Sequence, residues 1–320
     1  MHPRRDPPDA LRQLAHAQAG VVSAQQLLSL SFPLHSADRL VRQGHWRRLA
    51  TGIYLVETGD PAWPARAWAG VLLGGPRSRL GFSAAGHLWG LVDEPRSVSV
   101  LVPKGRDIVD RDSWVFRRET SGVRDARSPG APPRTTIEDT VVDLCAEAEE
   151  NQVLELVTKA VQGRRTTGRR ILSCVDRRTR VRHRVHLHAL LDDVIEGAQS
   201  ALELRYLQDV ERAHGLPRGT RQARAQRGRA YRDVRYDRYA TLVELDGQVH
   251  VTEQLRDSRR DNAALLQGEV TLRYGWPDVT ERSCLVAVEV AAILRARGWK
   301  DPLQRCPHCR EALDADLVGW

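Results

Sequence analysis

Apolar residues recur at helical spacing near the start of the chain. Leu11, Leu14 and Ala15 share one face of a helix expected over residues 9–19, which Gly20 stops. Ser23 is placed to cap a second helix over residues 24–30, with Leu27 and Leu28 turned inward. After a break at residues 31–33, a third helix is expected over residues 36–43, carrying Leu40 and Val41 and ended by Gly44. Residues 45–49 and 52–56 then read as two short strands about a turn at Thr51-Gly52. Three short helices followed by a two-stranded wing make a winged helix-turn-helix.

The pattern is less regular over residues 62–195. Helices are expected at residues 65–73 and 83–91, and strands at 98–102 and 114–117. A loop rich in Pro, Gly and Arg at residues 128–134 leads to a helix over 135–148 that turns Val141, Val142 and Leu144 inward. Another helix covers 151–162, and residues 164–170 read as a basic loop. This middle region has an α+β pattern and no catalytic motif.

From Ser200 the periodicity sharpens. A helix over 200–214 is followed by a Gly-, Pro- and Arg-rich loop, strands at 231–236 and 241–246, and a helix over 252–266 ending at Gly268. A strand at 270–274 and a helix over 280–297 complete the run. The order α, β, β, α, β, α fits a mixed sheet flanked by helices. The expected fold class is therefore α/β and α+β multidomain. It comprises a winged helix-turn-helix at residues 1–60, an α+β middle domain at 61–195, a mixed-sheet domain at 196–300 and a Cys-containing tail at 301–320.

Composition narrows the partners. The 320 residues, 41% of them hydrophobic, suffice for two or three domains. No run approaches the 18 to 20 or so apolar residues of a membrane span, so no membrane partner is expected. The first twenty residues lack the apolar core and cleavage pattern of a signal peptide, and the expected compartment is the cytoplasm. Net charge is +8, and of the 49 basic side chains only Lys104, Lys159 and Lys300 are lysine. Arginine forks suit phosphate, and a basic surface attracts polyanions.

The segment with the most chemistry is an acidic hairpin. In a strand over 241–246, Glu244 and Asp246 project from one face. A hairpin centred on Asp237-Arg238 sets Asp233 opposite Leu242, and hence on the same face. Three converging carboxylates repel one another unless a cation sits among them, and an all-oxygen set suits Mg²⁺ or Mn²⁺. Such an ion lowers the pKa of water and stabilises a phosphoryl transition state. Gly247 permits a sharp exit from the strand, and His250 beyond it is a candidate acid or base. The bland reading is that strand carboxylates pair with the many arginines.

The pattern Tyr231-Arg232-Asp233, Val243-Glu244-Leu245-Asp246-Gly247 with His250, residues 256–262 and Leu272-Arg273-Tyr274 resembles the very-short-patch-repair-like endonuclease family. That family falls in the restriction-endonuclease-like, PD-(D/E)xK superfamily. The resemblance covers roughly residues 196–298. It implies Asp233, Glu244 and Asp246 as metal ligands and a DNA-cleaving domain. Asp246 stands where the superfamily usually has lysine, so a transition-state stabiliser is missing. Glu203, where relatives often carry an acidic residue near the metal, also completes a Ser200-x-x-Glu203 capping box. Arg256 and Arg260, four residues apart, are candidates for gripping the DNA backbone or for pairing with Asp257 and Asp261.

A second resemblance covers about residues 9–56. Gly20–Ser23, Gln25, Arg39–Arg48 and Gly52–Tyr54 are similar to the N-terminal domain of AbiEi-type antitoxins, and the likeness continues loosely through Ser83-Ala84-Ala85 and Leu88-Trp89-Gly90. It implies a domain that binds promoter DNA, with a cognate toxin or other protein as a further partner. The recognition helix would offer Arg39 and Arg42 to phosphates or guanine edges, and Arg47 and Arg48 open the wing. Winged helices also mediate contacts with protein.

Five cysteines in so long a chain exclude a disulfide scaffold. Cys306 and Cys309 have the spacing of half a Zn²⁺ site, for which Cys284 and His308 are the nearest further ligands. Neither gives a recognised second knuckle, so the pair reads more readily as tail thiols or an oxidisable pair than as structural zinc. Cys145 and Cys174 read as core thiols. Two functions emerge: a metal-dependent DNA endonuclease or nickase delivered by a winged helix, and a non-enzymatic antitoxin-type regulator whose nuclease-like domain only binds DNA.

Overall fold

Ser23 and Gln26 close a capping box. The Gln26 N–H donates to Ser23 Oγ at 3.2 Å, and the Ser23 N–H donates to Gln26 Oε1 at 2.9 Å. This start signal places the second helix of the chain in a computed structural model that describes residues 7–195, 200–224, 231–246, 268–307 and 309. The chain divides into two units, Met1–Leu187 and His188–Trp320.

The first unit opens with α1 (Asp9–Ala17), β1 (Val21–Ser23), α2 (Ala24–Ser29), α3 (Leu34–Arg42), β2 (Arg47–Ala50) and β3 (Ile53–Leu55). The strands pair antiparallel in the order β1-β3-β2. This is the winged-helix order, with one strand more than the pattern predicted. β1 is three residues long, too short for alternation to register. α3 begins two residues earlier than expected because Pro33, held at φ −67°, starts it directly. Gly44, at φ +74°, ends it and lets the His45 N–H return to the Leu40 carbonyl.

Every residue of β3 is buried, and alternation explains how. Tyr54 packs with Leu11, Leu27, Phe32 and Trp46 beneath the helices. Ile53 and Leu55 point the other way, into a second core with Trp63, Val98 and Val100. Both sheet faces are covered, so the wing is anchored at its base.

That second core belongs to α4 (Trp63–Gly74), β4 (Arg79–Leu80), α5 (Phe82–Leu88), β5 (Val98–Pro103) and β6 (Trp114–Glu119). β5 pairs antiparallel with β4 and parallel with β6. α6 (Ile137–Glu147), α7 (Glu150–Gln162), α8 (Gly168–Arg177) and α9 (Arg184–Ile195) follow. α8 occupies part of the expected basic loop at 164–170. Thr167 caps it, and Ile171, Cys174 and Val175 are buried while Arg169 and Arg170 are exposed. The exposed arginines masked the apolar face. Arg178 is buried and forks between Asp139 Oδ1 at 2.8 Å and Asp143 Oδ1 at 2.7 Å. Cys145 is a buried core thiol; Cys174 is buried too, but its thiol donates to Asp139 Oδ1 at 3.1 Å.

The second unit contains α10 (Ala201–Arg205), which widens into a π-helical turn over Tyr206–Arg212, then β7 (Thr220–Arg224), β8 (Tyr231–Tyr236), β9 (Thr241–Asp246), β10 (Val270–Gly275), α11 (Trp276–Glu281) and α12 (Ser283–Ala296). The strand order is β10-β9-β8-β7, antiparallel except for the parallel pair β9–β10. β7 falls in what the sequence marked as loop, because Thr-Arg-Gln-Ala-Arg has no apolar alternation; an edge strand needs only its backbone ladder with β8. The helix expected over 280–297 is two helices, broken at Arg282. Leu202, Tyr206, Val234, Tyr236, Val243 and Val290 are among the residues of this unit's core. The helix expected at 252–266 lies outside the described residues.

Candidate nucleic-acid interface and acidic strand pair

α3 buries Ser36 and Ala37 and turns Arg39 and Arg42 outward. Neither arginine pairs with a carboxylate among the described residues, so both guanidinium groups remain available to an external anion. Asp38, between them in sequence, faces the wing instead. Its Oδ1 pairs with the Arg48 guanidinium and accepts from the Tyr54 hydroxyl at 3.2 Å. Burial and the Asp38 charge raise the Tyr54 phenol above its ordinary value, so it stays protonated and donates. Arg48 also stacks over the Tyr54 ring, 5.5 Å from its centroid. Helix and wing are thus tied through one carboxylate.

Arg47 pairs with Asp60 at 2.5 Å and donates to the Gly59 carbonyl at 3.0 Å. Both wing arginines are about half exposed, and surface pairs of this kind are worth at most about 1 kcal/mol, so a phosphate can displace the carboxylate. Beside them lies an open cleft of about 480 Å³ lined by Arg47, Arg48, Pro61, Arg66, Arg111 and Trp114. Arg66 and Arg111 extend the basic surface beyond the wing. They went unnoticed in the sequence because strand and helix pairing, not proximity along the chain, brings them there.

In the second unit the β8–β9 ladder sets Val234 against Val243, Arg235 against Leu242 and Tyr236 against Thr241. Continued one step, this register sets Asp233 against Glu244, not against Leu242 as the hairpin centre had suggested. The connection is a 3₁₀ turn at Asp237–Tyr239 closed by Ala240 at φ +44°, longer than a two-residue turn. The two-residue shift preserves the face: Asp233 and Glu244 still share it, opposite Val234 and Val243 in the core. Asp233 Oδ2 accepts the Leu245 N–H at 2.8 Å. Glu244 meets the Arg273 guanidinium at 3.0 Å from its register partner on β10. Glu203 is buried in α10, with its N–H on Ser200 Oγ at 3.0 Å, the first half of the expected capping box.

Glu203, Asp233 and Glu244 do not form a gathered ligand group among the described residues. One Asp233 oxygen accepts from a backbone amide and Glu244 faces a guanidinium. The Asp246 side chain, His250, Arg256 and Arg260 lie outside the described residues.

Residues 9–56 match the family model described as transcriptional regulator, AbiEi antitoxin. An AbiEi-type domain is therefore present at the N-terminus, on the winged helix just described. No curated protein matches the chain. Among solved structures, the chain is similar to that titled crystal structure of RV2827C protein from Mycobacterium tuberculosis, at 16% identity and a TM-score of 0.39, covering 63% of this chain and 82% of that one. No helix among the described residues is long and apolar enough to cross a membrane.

The C-terminal cysteines differ most from the sequence reading. Cys309 is buried rather than loose in a tail, and Cys284, Cys306, Cys309 and His214 bring their ligand atoms within 4.8 Å of one another. His308, one of the ligands considered, lies outside the described residues. His214 had no signal in the sequence, since 95 residues separate it from Cys309.

Proposed function

We propose that the chain is a DNA-binding transcriptional regulator of the antitoxin type, which grips duplex DNA through its N-terminal winged helix. The observation that carries this reading is the AbiEi-type domain whose α3 offers Arg39 and Arg42 without carboxylate partners among the described residues. The recognition helix lies in the major groove with these arginines at base edges or phosphates, and the wing arginines follow the adjacent backbone. The net charge of +8 favours the encounter. The partner DNA is the control region of its own operon, and a cognate toxin is the protein partner. The site of action is the cytoplasm. Fluorescence anisotropy with a duplex from upstream of the coding sequence, and a scrambled duplex of equal length, tests the reading. A regulator binds the first at least about tenfold more tightly at physiological salt; equal affinity for both contradicts it.

A second reading, a metal-dependent endonuclease or nickase, is favoured by one feature. Three antiparallel strands and a fourth parallel to the third carry Asp233 and Glu244 on a shared face, as the restriction-endonuclease resemblance implies. Mg²⁺ or Mn²⁺ would then need Asp246 beside Asp233 and Glu244. The Glu244–Arg273 pair supports the binding-scaffold reading instead. Plasmid nicking with each cation decides between them: cleavage lost in Asp233→Ala and Glu244→Ala establishes the enzyme, and DNA binding without cleavage leaves the regulator.

A further inference from the structure

We infer that the second unit holds a structural Zn²⁺ ion on Cys284, Cys306, Cys309 and His214. The three sulfurs form an equilateral triangle, with Cys284–Cys306, Cys284–Cys309 and Cys306–Cys309 each at 3.6 Å. His214 Nε2 is 3.4 Å from Cys309 Sγ. Zinc–sulfur bonds of about 2.3 Å and zinc–nitrogen bonds of about 2.0–2.1 Å at tetrahedral angles give edges of roughly 3.5–3.8 Å. Four of the six edges match, and all four ligand atoms lie within 4.8 Å of one another. The sulfur separations are far from the roughly 2.0 Å of a sulfur–sulfur bond, and any one disulfide leaves a third thiol beside it.

The surroundings are built for the same ion. His214 Nδ1 contacts the Val210 carbonyl at 3.1 Å, which fixes the proton on Nδ1 and turns the lone pair of Nε2 to the sulfurs. The Cys306 N–H points at Cys309 Sγ at 3.3 Å, and the Cys309 N–H closes a turn on the Cys306 carbonyl at 3.1 Å. Three of the four ligands are buried, which excludes competing water. Three protons leave on binding, one from each thiol, and the closed set of four protein ligands leaves no open position for substrate. The ion is therefore structural. It ties Cys306 and Cys309 to His214, just beyond the π-helical turn, and to Cys284 at the start of α12, beside the Gln304 N–H bond to the His214 carbonyl at 2.9 Å.

The test is metal analysis of the full-length chain, purified under reducing conditions without chelator and then loaded with cobalt. About one equivalent of zinc per chain is expected, falling below about 0.3 in Cys309→Ser and His214→Ala. Cobalt exchange is expected to give the strong visible bands of a tetrahedral thiolate site, and chelator to lower the midpoint of thermal unfolding. If the variants fail to fold, the wild-type chain decides alone. Folded wild-type protein with less than about 0.2 equivalents of zinc and no tetrahedral cobalt spectrum overturns the site. So does a wild-type mass lower by one disulfide under the same conditions.

Discussion

Arg273 stands across from Glu244 in the parallel ladder of β9 and β10, with its guanidinium 3.0 Å from the carboxylate. The residue that resemblance assigns to a metal thus also faces a cationic neighbour. Glu244 is only 13% exposed at its side chain and Arg273 27%, so the pair is largely shielded from solvent. Both residues hold further contacts, which moderate the loss of either. Arg273→Ala is expected to lower stability by about 1–3 kcal/mol. Glu244→Gln, which keeps a hydrogen-bond acceptor, should cost less. Urea unfolding of the two variants checks the order.

A heavier penalty is expected in the first unit. Asp139 is fully buried and accepts from Arg178, the Asp125 N–H and the Cys174 thiol. Asp139→Ala removes one of the two buried carboxylates that hold Arg178, leaving Asp143, and should cost about 3 kcal/mol. Burial alone raises the Asp139 carboxyl, but the Arg178 and amide hydrogen bonds outweigh it, and the pKa lies below the ordinary value. A carboxyl that binds protons more weakly when folded stabilises the fold above its unfolded pKa, near 3.9, and loses that stabilisation as pH falls through the folded value. Unfolding free energy should therefore drop as pH falls below about 4. Asp139→Asn, though less stable at pH 7, should show a shallower acid decline.

Gly219 approaches β8 too closely for any side chain. A Cβ there would lie 2.3 Å from Val234 Cγ1. Gly219→Ala should cost about 1–3 kcal/mol through displacement of Val234, a core residue. A fall in the melting temperature of the second unit, unaltered DNA affinity and an intact first unit are the expected results.

Ser23→Ala removes half of the capping box that starts α2. A loss of about 1 kcal/mol is expected, measured by chemical denaturation. Because α2 supports α3 through Leu27 in the common core, DNA affinity should decline with it.

The winged helix was legible in the sequence because each signal was local: Ser23 as cap, Gly44 as stop, Leu11 and Leu27 at helical spacing. β1 and β7 were not. One is too short for alternation, and the other is a polar edge held by its ladder with β8 and by polar contacts such as Arg221 to Glu211. The acidic strands were legible in their shared face, since a two-residue error in register leaves parity unchanged. Their electrostatics were hidden, because Arg273 arrives from a parallel partner that no hairpin logic reaches. His214 was hidden for the same reason: tertiary packing, not spacing, delivers it to the cysteines.

The central claim is that α3 carries the DNA contacts. Its most direct test is the affinity of Arg39→Ala/Arg42→Ala for the upstream duplex, measured across a salt series beside wild type. The account predicts that the double variant binds at least about tenfold more weakly and that the slope of log affinity against log salt becomes shallower by roughly 1–2. A double variant with wild-type affinity and wild-type slope would contradict it.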